Sequence, residues 1–146
     1  MFLKEFNKGE AIAFMNLVKL FSEVDKDVAR EEKRLIKDYL KELDLKENEI
    51  TDLSYDELMK ILKVMTERQR KIVYFELVGL ALVDGKYGDD EVDFLDKVAI
   101  DLDINRSKKI AFANYFYNFK EIHDFSVLET ENLELESLKR EAETLL

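Results

Sequence analysis

Asp84 and Glu91 stand seven places apart, at the two ends of Asp84-Gly85-Lys86-Tyr87-Gly88-Asp89-Asp90-Glu91. Carboxylate oxygens from two adjoining helix ends suit a hard cation such as Ca²⁺, Mg²⁺ or Mn²⁺. Asp25 and Glu32 repeat the same spacing earlier in the chain, and Asp89 and Asp90 add further oxygens. Capping explains the spacing equally well. With Gly88 as N-cap, Glu91 becomes the third helical residue, from which a glutamate reaches back to the cap amide. Its charge also suits a helix N-terminus, and Asp84, before a glycine, can accept from loop amides. Both readings stand at this point. An EF-hand does not: that loop needs glycine sixth and glutamate twelfth, whereas here glycine is fifth and the twelfth residue is Leu95.

Other chemistry is poorly supplied. His123 is the only histidine, and there is no cysteine, so a His- or Cys-based zinc site and a conventional catalytic triad cannot be assembled. No phosphate-binding glycine loop or dinucleotide fingerprint occurs. No catalytic residue is assigned, and the chain is read as a non-enzyme. The aromatic run Phe112, Tyr115, Phe116 and Phe119 falls on one helical face and reads as core. Base stacking would need a basic groove around those rings.

The elements that must position these carboxylates are helices. With no proline and four glycines in 146 residues, nothing breaks a helix from within. The most apolar run begins at Ile72, and Glu76 is its only charge before Asp84, so it reads as a central buried helix. Gly79 inside it costs about 1 kcal/mol relative to alanine, which close approach of another helix would offset. Thr66-Glu67-Arg68-Gln69 and Ser54-Tyr55-Asp56-Glu57 are capping-box patterns that open this helix and the one before it. In that earlier helix Leu58, Ile61 and Leu62 are expected inside. Apolar periodicity predicts further helices over 10–24, 30–43, 89–102 and from Asn105 or Ser107 to 119. His123 would then be a loop or surface residue. A thinly apolar helix over about 129–146 is expected to dock on the surface or to join two chains. The expectation is one all-α domain of about seven helices spanning 1–146.

Charge narrows the partners. The net charge of −10 repels phosphate backbones and anionic lipid, so nucleic acid is not an expected partner. No apolar run reaches the ~20 residues needed to span a bilayer, and no signal peptide opens the chain. The absence of cysteine fits a cytoplasmic protein.

A shift of 59 places lays Asp25 on Asp84, Glu32 on Glu91, Leu43 on Leu102 and Asp44 on Asp103. The apolar positions Leu35, Ile36, Tyr39 and Leu45 then meet Phe94, Leu95, Val98 and Ile104. Residues of about 14–45 and 73–104 therefore read as two copies of one helical hairpin, which would pack about a pseudo-twofold axis.

The segment Ala81-Leu82-Val83-Asp84-Gly85, a short loop and then Glu91 resembles the hallmark of the TerB-like domain. That hallmark is an apolar helix ending in Ala-x-x-Asp-Gly, followed by a glutamate in the next helix start. The domain occurs in tellurite-resistance proteins and, in related form, in a membrane-anchored DnaJ-like co-chaperone. The resemblance covers residues 10 to about 125. It implies an all-helical fold of two related halves and a non-enzymatic stress-response module that binds a protein partner. It also implies a divalent metal on the acidic positions. Asp84 and Glu91 match the motif directly; Asp25 and Glu32 match through the repeat, where Lys26 departs from the glycine of the motif. The alternative is a metal-free protein-interaction or co-chaperone-type domain whose acidic ends are caps. A homo-oligomer through the C-terminal helix is a further expectation.

Overall fold

Two reciprocal capping boxes open the two helices that carry the core. The Asn7 side chain accepts from the Glu10 amide at 2.8 Å, and Glu10 accepts in return from the Asn7 amide at 2.9 Å. Thr66 accepts from the Gln69 amide at 3.1 Å, and Gln69 from the Thr66 amide at 3.0 Å. Each box satisfies amides that the first helical turn leaves without a partner. In a computed structural model, which describes residues 2–24, 30–82, 88–123 and 132–146, these caps begin α1 (Lys8–Val24) and α4 (Glu67–Leu82). Side chains within 30–32, 119–123 and 132–137 are outside the description. The other helices are α2 (Arg30–Glu42), α3 (Tyr55–Leu62), α5 (Asp89–Asp101), α6 (Arg106–His123) and α7 (Asn132–Leu145). The described residues form seven α-helices, two short 3-10 turns and no strand, so the fold is all-α.

Burial makes α4 the centre. Its residues from Ile72 to Leu82 are all buried except Gly79, as a helix apolar on every side requires. Helices α2, α5 and α6 pack around it, while α1 packs on α3 and α5, and α7 on α6. Gly79 admits a close approach of α6: a Cβ there would lie 2.8 Å from Cζ of Phe116. The expected core role of the aromatic face holds for three of its four residues, the side chain of Phe119 being outside the description. Phe112, Tyr115 and Phe116 are buried, and the Phe75 ring lies 4.7 to 5.4 Å from all three.

Helices α2 and α5 end alike. Asp44 and Asp103, 59 places apart, are the described non-glycine residues with positive φ, at 52° and 60°. The next amides, of Leu45 and Ile104, bond back to the carbonyls of Leu40 and Ala99 at 2.9 and 2.8 Å. This is the Schellman stop, in which a left-handed residue lets two trailing amides satisfy the last carbonyls. The starts agree in register as well: Lys8 with Glu67, and Arg30 with Asp89.

Several expectations need correction. Ile61 is 37% exposed; Met59 is buried in its place, because Leu58, Met59 and Leu62 form the side of α3 that faces the core. α1 starts at Lys8 because the Asn7–Glu10 box caps it. His123 is the last residue of α6, with its side chain outside the description. The N-terminus forms one 3-10 turn over Leu3–Glu5: Phe2 and Leu3 are buried, and the Arg68 guanidinium forks onto Glu5 at 2.8 and 2.9 Å. Of the two outcomes expected of the C-terminal helix, docking is the one seen, on α6. Ala142 is fully buried, Tyr115 donates to the Leu138 carbonyl at 3.0 Å, and Lys108 donates to the Leu145 carbonyl at 2.5 Å. Leu133 and Leu135 belong to the side chains outside the description.

Candidate functional site

The acidic junction follows from how α5 begins. Gly88 is its N-cap, extended at φ −79° and ψ 163°, with open space where a Cβ would stand. Asp89, Asp90 and Glu91 then fill the first turn, where the helix dipole favours negative charge. Asp89 and Asp90 are exposed, whereas Glu91, at the third position, is only 3% exposed. Of the four carboxylates singled out in the sequence, Glu91 is the one whose side chain is described. Asp25 and Asp84 lie outside the described residues; Glu32 is placed by its backbone as the third residue of α2, with its side chain outside the description. Glu32 and Glu91 thus occupy equivalent helix positions. Among the described residues no group of three metal-ligating side chains comes together.

A second polar centre was not singled out from the sequence. Glu76, in the middle of α4, is 6% exposed. The Tyr39 hydroxyl of α2 lies 3.2 Å from its Oε2 and 3.1 Å from its main-chain carbonyl, a shared donation, and the Phe2 amide reaches Oε1 at 3.4 Å. Burial, with the Glu76 carboxylate next in weight, holds the Tyr39 hydroxyl far above the usual phenol range. A signal was available. Under the 59-place shift Glu76 falls on Leu17 and Tyr39 on Val98, both fully buried and apolar. The polar pair therefore stands where the other half of the chain has an apolar one.

A third feature is an open groove of about 290 Å³ between α4 and α6. Tyr74, Val78 and Leu82 of α4 form its floor, and the exposed Ile110 and Tyr117 of α6 its wall. Arg106, Lys109 and Asp96 of α5 also line it, and Lys109 pairs with Asp96 at 2.6 Å. The groove can take an apolar side chain from a partner and offers a positive group beside it.

No helix among the described residues is long and apolar enough to cross a membrane. Compared with models of protein families, with curated proteins and with solved structures, the chain finds no match in any of the three.

Proposed function

We propose that this chain is a non-enzymatic, cytoplasmic binding module of the TerB-like, stress-response kind. It acts through a protein partner and holds a divalent cation where α4 gives way to α5. Asp84 and Glu91 supply the oxygens on this reading, and Asp25 and Glu32 complete the set from the first hairpin across a pseudo-twofold axis. The observation that supports it most is Glu91. Its carboxylate is 3% exposed in the first turn of α5, with Asp89 and Asp90 exposed beside it, so acidic oxygens gather where the two helices adjoin. The common register of both hairpins, from caps to Schellman stops, supports the paired arrangement.

The test is thermal unfolding with and without Ca²⁺, Mg²⁺ or Mn²⁺. A ligand at a hundred times its Kd stabilises by ~2.7 kcal/mol, and Asp84→Ala should abolish that rise. No shift with any of the three ions would leave the second reading, a metal-free interaction domain. One observation favours that reading: Gly88 as N-cap sets Glu91 at the position a capping glutamate takes.

A further inference from the structure

Laid 59 places apart, the outward faces of α2 and α5 carry opposite charge. Arg34 falls on Asp93, Lys37 on Asp96 and Asp38 on Lys97, with the sign inverted each time. On α2 the side chains of Lys33, Arg34, Lys37 and Lys41 are exposed and follow one stripe at helical spacing. Of the four acids of that helix, Asp38 and Glu42 are half-buried, and Glu31 and Glu32 have side chains outside the description. On α5, Asp89, Asp90 and Asp93 are exposed, while Asp96 is engaged by Lys109 within the chain. A basic stripe on a chain of net charge −10 is a local reversal of its overall character.

We infer that a second copy of this chain is a partner, with the basic stripe of α2 in one copy docking on the acidic face of α5 in the next. The two surfaces differ, so the contact is heterologous, and it continues head to tail unless the rotation closes a ring. Ile100, 78% exposed, falls on Lys41 in the same register. It gives α5 an apolar spot on which a long basic stem can lie. This inference does not rest on the cation site.

Salt acts on the contact in two ways, because every copy also carries surplus negative charge. At about 0.01 M the Debye length is ~30 Å and whole molecules repel. At about 0.1 M it is ~10 Å, so the net charge is largely screened while pairs in contact persist. At about 1 M it is ~3 Å and the pairs fade as well. Association therefore peaks at intermediate salt, whereas a purely apolar interface would not weaken at the high end.

The experiment is sedimentation velocity of the full chain over rising concentration at these three salt levels. Two double variants accompany it: Arg34→Glu with Lys37→Glu, and Asp90→Lys with Asp93→Lys, each checked for helical content. Each variant alone presents two faces of one sign and should associate at least ~10-fold more weakly. Their equimolar mixture should restore association. A wild-type chain monomeric at all three salt levels overturns the inference. So does association that survives in either variant alone, or a mixture that stays unassociated.

Discussion

Gly79→Ala sets helix propensity against packing at one position. Alanine in a helix interior is favoured over glycine by about 1 kcal/mol, so on propensity alone the substitution stabilises α4. The new methyl would lie 2.8 and 2.9 Å from two carbons of the Phe116 ring. That ring cannot swing away freely, since Phe75 holds it at 4.7 Å and Tyr115 at 5.0 Å. Overpacking of this kind costs about 1–3 kcal/mol, and the confinement of the ring argues for the upper half of that range. The net expectation is a loss of roughly 1–2 kcal/mol. For a chain of this size that lowers Tm by about 3–6 °C. Urea unfolding followed by circular dichroism should show a lower midpoint with an unchanged slope. Phe116→Leu removes the obstructing ring at its own cost, and the pair should then be coupled: Gly79→Ala becomes neutral or stabilising in that background. If Gly79→Ala alone raises stability by about 1 kcal/mol, or if the two changes add without coupling, the account of this glycine is wrong.

Tyr39→Phe should cost about 1–3 kcal/mol by removing a donor from a buried carboxylate, and adding Glu76→Leu should recover most of it, since an apolar pair replaces a polar one whole; chemical unfolding of the three chains decides. Tyr39, Tyr55 and Tyr115 all have hydroxyls raised above the usual phenol range, chiefly by burial. A raised pKa means stability that is complete below the unfolded value near 10 and is lost as pH climbs beyond it. Tyrosinate absorbance should therefore show Tyr39, Tyr55 and Tyr115 ionising only as the chain unfolds, with Tyr39→Phe removing its share of that phase. Asp103→Gly and Asp44→Gly relieve left-handed strain of ~1–2 kcal/mol against ~0.5–1 kcal/mol of glycine entropy, so each should stabilise by about 0.5–1 kcal/mol. Matching gains at the two sites, read from urea midpoints, are the expected result; a loss at either would show that the aspartate side chain is needed there.

Most helix starts were legible because their causes lie within a few residues. The Thr66–Gln69 box, the Ser54 cap that accepts from the Glu57 amide at 3.2 Å, and Gly88 ahead of Glu91 could all be read directly. The Asn7–Glu10 box was equally local, since asparagine caps as well as serine does, and was missed because the apolar stripe of α1 begins only beyond it, at Ala11 and Ile12. The match of Asp44 with Asp103 was visible as an identity; its meaning, a left-handed stop in each hairpin, needed backbone angles.

The sequence by itself determined an all-helical chain, where most of its helices start and stop, and the position of Glu91 on the third residue of α5. Tertiary structure alone decided which charges lose water. Glu91 became buried while its neighbours Asp89 and Asp90 stayed exposed. Glu76 met Tyr39, 37 residues away, and Arg68 tied Glu5 of the N-terminus to Glu143 of α7. The reason is range. A cap bonds to an amide three residues on, so its partner is written beside it, whereas desolvation of a side chain depends on which distant helix covers it. That choice is made only when the whole set of apolar faces is buried together.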